Sequence, residues 1–201
     1  MPEEDLILVF NPHSPLNSLD TILFSAHTFK DWNTMTVLSE ITLSSISESD
    51  RKSVVDLFNY YIENSYAAYP EQKVPYEFFS LFLDASRNYP SVVARGSEGT
   101  VAGFGLLRPH NPMAAFRHTA EVTYFLRPEM TRKGLGTRMF EYLETAGRKQ
   151  EITSLLASIS SLNDGSIRFH TRQGFTECGR FLSVGMKKGV VFDMVWMQKF
   201  I

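Results

Sequence analysis

The stretch TRKGLGTRM, residues 131–139, decides the fold, because it stands between a strand-like run and a helix-like run. Gly134 and Gly136 carry no Cβ, so the backbone here can approach a ligand closely. The amide groups that follow point out of a helix N-terminus, where the helix dipole favours negative charge. Arg132 and Lys133 add full positive charge. The stretch therefore predicts an anion site, and the chemistry of the site suits a pyrophosphate.

Spacing alone also fits an ordinary glycine-containing loop, which is the commoner source of such short patterns. The stretch is not a P-loop, because it has no Gly-Lys-Ser/Thr ending. It also lacks the full GxGxxG pattern of a dinucleotide fold, since Met139 stands at the third glycine position. The surrounding elements have to decide between a ligand cradle and a plain loop.

Strands and helices alternate on both sides of this stretch. Ser47 begins a capping box, and Pro75 suits the first turn of a helix. Asn163 or Asp164 caps a short helix that Gly174 ends. The patterns predict strands at 36–46, 91–95, 100–107, 120–126, 152–159, 175–184 and 190–199, and helices after 47, after 75, at about 134–149 and after 163. This order predicts a mixed α/β domain with one central sheet.

Composition limits the classes of function. The 201 residues suit one domain, and a hydrophobic fraction of 43% allows a real core. A net charge of -2, without any Lys/Arg-rich run, argues against a nucleic-acid surface. The single cysteine, Cys178, excludes an internal disulfide framework and a Cys-based zinc site. We expect Cys178 to be a buried strand residue.

Residues 1–34 differ from the rest and carry no recognisable chemistry. We expect an N-terminal extension of unknown role, followed by a domain at 35–201. The acidic start does not resemble a secretory leader, and no stretch has the length that crosses a bilayer. Cytoplasmic location is the default expectation. The five histidines show no metal-ligand spacing, so no catalytic metal is expected.

Residues 121–175 resemble the GNAT superfamily of N-acetyltransferases, whose signature for the CoA pyrophosphate is Q/R-x-x-G-x-G/A at this junction. Gly134 and Gly136 match, but Thr131 stands where the family has Gln or Arg, and Arg132 is the expected substitute. Five ordered pieces narrow the resemblance to the phosphinothricin-type N-acetyltransferases. They are DLFNYYIENS (56–65), AEVTYFLRPEM (120–130), the glycine stretch, SLNDGSIRFHTRQGF (161–175) and GFTECGRFLSVGMKKGVVFDMVWMQ (174–198).

The resemblance implies both a fold and a reaction. The fold is α/β, with a GNAT-like central sheet that is mixed, mostly antiparallel and flanked by helices. The reaction moves an acetyl group from acetyl-CoA to the primary amine of a small molecule, an amino acid or a close analogue. The amine attacks the thioester directly, without an acyl-enzyme. A homodimer is implied, and neither nucleic acid nor a membrane is an expected partner.

The resemblance also assigns roles to residues. Glu121 matches the general base that takes the ammonium proton directly or through a water, and His170 matches a histidine that acts as acid or base near neutral pH. The residues implied to bind CoA are Tyr124, Phe125 and Leu126 through their backbone, then Arg132, Lys133, Gly134, Leu135, Gly136 and Thr137, and finally Asn163 and Ser166. The structural alternatives are a strand-end glutamate, a packed histidine and, for Asn163, a plain helix N-cap.

The end of the first helix is the expected acceptor pocket, with Tyr60, Glu63 and Asn64 as substrate-binding candidates. The alternative is a helix with core aromatic residues and a solvated polar face. A substrate carboxylate needs a cationic partner, and the candidates flank the long loop before the strand that carries Glu121. They are Arg108 and, as alternatives, Arg117 or His118.

Two other functions fit the same residues. One is a non-catalytic CoA-binding module that kept the cradle, meaning the backbone amides at residues 134–137. This alternative arises because Thr131 departs from the family signature. The other is an acetyltransferase that acts on a protein N-terminus or lysine, for which an open groove would be the mark. The aromatic-rich first helix favours a closed pocket and a small substrate. Asp193 and Trp196, in the last strand, are assigned structural roles.

Overall fold

A computed structural model describes residues 40–201, which form one sheet with helices on both faces. The described chain contributes seven strands in the spatial order β1-β2-β3-β4-β5-β7-β6. They are β1 (Thr42–Ser44), β2 (Ser91–Arg95), β3 (Val101–Pro109), β4 (Thr119–Leu126), β5 (Ser154–Ser160), β6 (Thr176–Lys187) and β7 (Val190–Phe200). Every neighbouring pair is antiparallel except β4 and β5. The predicted mixed, mostly antiparallel sheet is confirmed.

Two hydrophobic layers cover the two faces of the sheet. The helices are α1 (Arg51–Asn64), α2 (Phe79–Ser86), α3 (Leu135–Lys149) and α4 (Asp164–Arg172). One layer joins α1 and α2 to the sheet through Phe58, Phe79 and Phe125, and the other joins α3 and α4 to the opposite face. Leu135, Met139 and Leu143 of α3 are in this second layer, because their spacing places them on one side of the helix.

The parallel strands β4 and β5 separate part-way along their length. Their pairing ends at Glu121 and Leu156, whereas β4 continues to Leu126 along β3 and β5 continues to Ser160 along β7. A gap therefore opens between the later residues of β4 and β5. A strand edge inside such a gap has unpaired backbone groups, which suit an extended ligand.

A tight turn connects β4 to α3. Pro128–Met130 form a single 3-10 turn, and the Thr131 hydroxyl donates to the Pro128 carbonyl at 2.7 Å. Arg132 has φ 59° and Gly134, the N-cap of α3, has φ 85°. Left-handed backbone at two nearby positions turns the chain sharply and directs the first amides of α3 outward. The requirement for glycine at 134 is therefore conformational.

The first strand and the Cys178 environment differ from the predictions. The strand predicted at 36–46 is only Thr42–Ser44, and residues 36–39, like the extension 1–34, lie outside the described residues. Cys178 is exposed, so the prediction that it is buried was wrong. The reason is topological: β6 is the edge strand of the sheet, and no helix of the described chain covers its residues 176–184. The alternation of the sequence does not reveal which strand lies at the edge.

The closing hairpin is tighter than predicted. β6 extends to Lys187, and only Lys188 and Gly189 separate it from β7, with φ 53° and 74°. Two positive φ values in a two-residue connection match the right-handed twist of the flanking strands. Among residues 40–201, no helix is both long enough and apolar enough to cross a membrane.

Candidate active site

Glu121 lies at the closed end of the gap between β4 and β5. It belongs to the last residue pair that joins the two strands, and it is only 7% exposed. The Arg108 guanidinium, from the neighbouring position on β3, donates to Oε2 of Glu121. His110 Nδ1 lies 2.9 Å from Oε1. The buried carboxylate is therefore paired on both oxygens.

Aromatic side chains surround this carboxylate. The His110 ring meets Phe116 and Trp196 edge-on, with centroid distances of 6.1 and 5.8 Å. Tyr69 donates its phenol to the Ser158 carbonyl at 3.1 Å. Burial raises the pKa of Tyr69. The charges of Arg108 and Glu121 also act on this pKa, Arg108 lowering it and Glu121 raising it, so the phenol lies within electrostatic reach of the pair. We call this group the Glu121 cluster: Tyr69, Arg108, His110, Phe116, Glu121 and Trp196.

His170 lies in the layer on the other face of the sheet. The Tyr124 hydroxyl is 2.6 Å from His170 Nε2, and His170 Nδ1 is 2.8 Å from the Ser166 carbonyl. A carbonyl only accepts, so Nδ1 donates to Ser166 and Nε2 accepts from the Tyr124 phenol. Burial lowers the pKa of His170 from 6.5 to about 4 and raises that of Tyr124 well above 10.0.

This geometry changes the expected role of His170. The imidazole is neutral near pH 7, so a protonated His170 is not available there as a general acid. Both of its ring nitrogens are occupied, and its partner is a phenol on β4, the strand that borders the gap. The residue therefore fixes the orientation of the Tyr124 side chain.

The residues of the predicted cradle lie at the start of α3. The first amides of a helix have no intrahelical acceptor, so those of Leu135, Gly136 and Thr137 remain for a ligand. Gly136 has an additional reason to lack a side chain, because a Cβ there would lie 3.2 Å from the Phe169 ring of α4. Close packing of α4 on α3 therefore favours glycine at this position.

Other predicted cofactor residues have internal partners. Asn163 is the N-cap of α4, and its side-chain oxygen accepts the Ser166 amide at 3.2 Å. The hydroxyl of Thr137 is 3.1 Å from the side-chain amide of Gln173. The N-cap alternative for Asn163 is thus realised, and Ser166 supports His170. Neither arrangement removes the backbone amides of the cradle.

The register assigns the backbone groups of β4 to two sides. Arg127 donates its amide to the Ala102 carbonyl of the β3 segment at 2.8 Å. Because backbone groups alternate along a strand, those of Tyr124 and Leu126 face the gap, whereas those of Phe125 face β3. Phe125 was expected to offer backbone groups to CoA, but its position in the ladder directs them away. Its ring packs against Phe58 and Phe104.

The helix-end residues predicted to bind the acceptor have other contacts. Glu63 pairs with Lys73 at 2.9 Å, and the Asn64 side chain donates to the Tyr60 carbonyl. Tyr60 and Glu63 line a cleft of about 400 Å³ between α1 and residues 73–76, which Glu121 does not line. The structure therefore does not join them to the Glu121 cluster. Arg108, by contrast, contacts Glu121 directly.

Residues 54–175 match the acetyltransferase (GNAT) family. The chain belongs to this family. It is therefore an acetyltransferase, and the predicted family resemblance is confirmed.

Several relatives of this GNAT chain have names or known structures. It is 30% identical over 152 residues to the L-methionine sulfoximine/L-methionine sulfone acetyltransferase of Pseudomonas aeruginosa, which covers 75% of this chain and 88% of the relative. It is 31% identical over 152 residues to the phosphinothricin N-acetyltransferase of Streptomyces viridochromogenes, covering 75% and 82%. The phosphinothricin acetyltransferase of Sinorhizobium meliloti, solved with acetyl-CoA, superposes with a TM-score of 0.76 at 26% identity, covering 81% of this chain and 89% of that one.

Sequence reasoning missed three contributors to this GNAT site. Tyr69 and His110 enter the Glu121 cluster from loops, where periodicity carries no signal. The Tyr61 ring packs against Phe125, and its hydroxyl donates to the Leu126 carbonyl at 2.6 Å, at the open end of the gap. Burial raises the pKa of Tyr61 to about 12, so it remains a donor. The only available signal for His110 was its position two residues after Arg108, since alternate residues share a sheet face.

Proposed function

We propose that this protein transfers the acetyl group of acetyl-CoA to the primary amine of a small molecule, an amino acid or a close analogue. The observation that supports this proposal most strongly is the placement of Glu121. Its carboxylate closes one end of the β4–β5 gap, and the start of α3 lies near the other end, where Leu126 approaches Gly136. One extended thioester can therefore reach both the anion cradle and the carboxylate.

In this proposal the chain binds acetyl-CoA mainly through its backbone. The amides of Tyr124 and Leu126 face the pantetheine arm in the gap. The amides at the start of α3 hold the pyrophosphate, with Arg132 and Lys133 supplying charge near that end. Thr131 does not weaken the cradle, because its hydroxyl closes the turn before α3 and the amides carry the binding.

Transfer is proposed to be direct. The acceptor arrives as an ammonium ion and must lose a proton before its nitrogen attacks the thioester carbonyl. Glu121 is the carboxylate that drives this deprotonation. The amide of Tyr124 or Leu126 then stabilises the oxyanion, as in other acyl transfers. The nitrogen–carbon bond forms, the carbon–sulfur bond breaks, and CoA leaves as a thiol.

The acceptor class follows from the relatives and from Arg108. The relatives are named for methionine sulfoximine, methionine sulfone and phosphinothricin, which are amino acids or analogues of them. Arg108 has 44% of its side chain exposed beside the carboxylate, so its guanidinium can bind the acceptor's own carboxylate while remaining near Glu121. Aromatic residues of the Glu121 cluster enclose the acceptor side chain.

A homodimer and a cytoplasmic location complete the proposal. The outer side of the closing hairpin has exposed apolar side chains that a second copy would cover: Phe181, Leu182, Val184, Met186, Val190 and Val191. The free, exposed thiol of Cys178 suits a reducing compartment.

The test is thiol release from acetyl-CoA in the presence of a panel of acceptors. The panel contains L-methionine sulfoximine, phosphinothricin, common amino acids, polyamines and a peptide with a free N-terminus and a lysine. We expect turnover with the amino-acid class, and Glu121→Gln should lower kcat by about 100-fold. Glu98→Gln, in the exposed turn between β2 and β3, is the matched control and should behave as wild type.

The other outcomes separate the alternatives. Thermal stabilisation by CoA without turnover of any amine would indicate a non-catalytic CoA-binding module. Turnover of the peptide alone would indicate a protein acceptor. The absence of both stabilisation and turnover would contradict the assignment of the cradle.

A further inference from the structure

Glu121 has no free carboxylate oxygen among the groups that the structure describes. Oε2 accepts from the Arg108 guanidinium, and Oε1 lies 2.9 Å from His110 Nδ1. The Glu121 side chain is 9% exposed, whereas the side chains of its two partners are 44% and 33% exposed. An ammonium group approaching from solvent therefore meets the more exposed Arg108 or His110 before it meets the carboxylate.

The protonation of His110 follows from its partner. An ionised carboxylate beside a guanidinium has only acceptor sites, so the nitrogen that contacts Oε1 must carry the hydrogen. In the neutral ring this places the hydrogen on Nδ1 and leaves a lone pair on Nε2. The same logic orients a histidine in front of a carboxylate in other acyl-transfer enzymes.

The second nitrogen of His110 is available. Within residues 40–201, Nε2 of His110 has no hydrogen-bond partner, whereas the side chain is held edge-on by Phe116 and Trp196. Trp196 pairs with Ser158, a β5 residue just beyond the point where β4 and β5 separate. The imidazole is thus fixed at the closed end of the gap with a bare lone pair.

We propose that His110 is the group that takes the proton from the acceptor ammonium, with Glu121 as its positioning carboxylate. This inference rests on the proposed acetyl transfer and specifies the path of the proton. It makes His110 a catalytic residue that the sequence resemblance does not assign. Glu121 keeps its importance, but acts through the imidazole.

Atoms and charge balance in the proposed proton and acetyl transfers. Nε2 of His110 takes one proton from the ammonium, and the free amine attacks the thioester carbonyl. The nitrogen–carbon bond forms as the carbon–sulfur bond breaks, and the second proton lost from nitrogen passes to the departing thiolate. The imidazolium then returns its proton to solvent, because the side chain is one-third exposed. No oxidant or further reactant is needed.

The charges around His110 suit this role. Glu121, on β4, faces Nδ1 and stabilises the imidazolium that forms. Arg108, on β3, is bound to the opposite carboxylate oxygen. Tyr69 approaches from the segment after α1 and is neutral near pH 7, because burial raises its pKa. Transfer of the proton therefore creates the new charge beside its counter-ion.

The first test compares histidine variants with an acceptor that the wild-type enzyme acetylates. His110→Gln should lower kcat/KM by about 100-fold while thermal stabilisation by CoA remains as in wild type. Glu98→Gln, in the exposed turn between β2 and β3, serves again as the matched control. The control should retain the wild-type rate.

Chemical rescue separates proton transfer from packing. Imidazole added to His110→Ala should restore turnover in proportion to its concentration, and it should leave Glu121→Gln unchanged. A residue that only packs between Phe116 and Trp196 would not be replaced by a base in solution. Full activity of His110→Gln, with turnover lost in Glu121→Gln, would overturn the inference while leaving the acetyl transfer intact.

The wild-type protein offers an independent measurement. In ¹⁵N NMR of histidine-labelled protein, with the imidazole in its neutral form, we expect a protonated Nδ1 and a bare Nε2. Assignment comes from the signal that is missing in His110→Gln. The opposite tautomer would contradict the proposal, whereas a wild-type enzyme that releases no thiol with any acceptor would contradict the proposed function instead.

Discussion

At the scale of single residues, two histidines have opposite environments. His110 is partly exposed and paired with a carboxylate, whereas His170 is 4% exposed and bonded to a phenol and a carbonyl. Burial without a counter-ion disfavours the charged imidazole, which is why the pKa of His170 falls to about 4. The two residues therefore contribute to different properties of the enzyme, namely proton transfer and stability.

His170 makes stability depend on pH. Its pKa is 6.5 in the unfolded chain and about 4 in the folded one, so the unfolded state binds more protons between these values. Folding stability is complete above pH 6.5 and declines as the pH falls. We expect the loss of unfolding free energy between pH 8 and pH 5 to be about 2 kcal/mol smaller in His170→Gln than in wild type.

Urea unfolding of the two proteins at both pH values measures this difference. Thr171→Ala, at the neighbouring exposed position, removes no titratable group; it is the control and should keep the wild-type pH dependence. An unchanged dependence in His170→Gln would show that the imidazole is charged or exposed in the folded protein.

Only some residues of the candidate site could be predicted from the sequence. Glu121 was predicted through the family resemblance, whereas the glycines of the cradle were predicted from a spaced pattern with its own chemistry. Tyr69 and His110 come from segments without periodicity, and the folded chain alone brings them to the carboxylate. Such contacts arise only in the tertiary structure, so no local sequence pattern predicts them.

At the scale of elements, a buried lysine joins the closing hairpin to the end of α1. Lys187 is 1% exposed, and its ammonium donates to the carbonyls of Ile62, Ser65 and Ala68 at 2.7, 2.8 and 2.6 Å. The last carbonyls of a helix lack intrahelical partners and carry the negative end of its dipole. Lys187 thus caps α1 and orders the segment that leads to Tyr69, although burial lowers its pKa.

Removing this ammonium should be costly. Lys187→Met leaves buried carbonyls without a donor, and we expect a loss of about 2–4 kcal/mol in the free energy of unfolding. Lys188→Met is the matched control, because that side chain is exposed and reaches a single carbonyl, that of Glu63. Its expected cost is below about 1 kcal/mol.

Chemical denaturation of both variants gives the comparison. Equal effects at positions 187 and 188 would contradict the assigned cap. A loss confined to Lys187→Met would support it, and the same variant should also show weaker binding of the acceptor, because Tyr69 is no longer held in place.

The gap between β4 and β5 was not visible in the sequence. Both strands were predicted close to their observed bounds, because each is a short apolar run between turn signals. The point at which their pairing ends depends on register with β3 and β7, which each strand acquires only in the folded sheet. The same reason explains why Phe125 was assigned backbone contacts that its position in the ladder directs elsewhere.

At the scale of the whole molecule, the closing hairpin exposes apolar side chains on an edge strand. Phe181 is 59% exposed and Leu182 73%. Within residues 40–201, β6 pairs only with β7, and an edge strand with this surface suits a second copy of the chain. We expect light scattering to give twice the 22.9 kDa of one chain, and Leu182→Glu to give a monomer. Leu81→Glu, on α2 with 56% exposure, should stay dimeric, and a monomeric wild type would contradict the proposal.

The overall architecture was predictable because local patterns and family resemblance agreed. Capping at Ser47 and Asn163 and the left-handed Gly174 fall where the sequence predicted them. The short first strand and the exposed Cys178 were not predictable, since both depend on which strands lie at the edges of the sheet. Edge position is set by the whole topology.

Mass spectrometry of the protein and the acceptor is the measurement that best tests direct transfer of the acetyl group. The protein is incubated with acetyl-CoA, first alone and then with L-methionine sulfoximine or phosphinothricin, and both protein and acceptor are weighed. The account predicts that the protein mass stays unchanged in both samples and that the acceptor gains one acetyl group on its amine. A protein that is stably acetylated before the acceptor is added, or an acceptor that gains nothing, would contradict direct transfer to an amino acid.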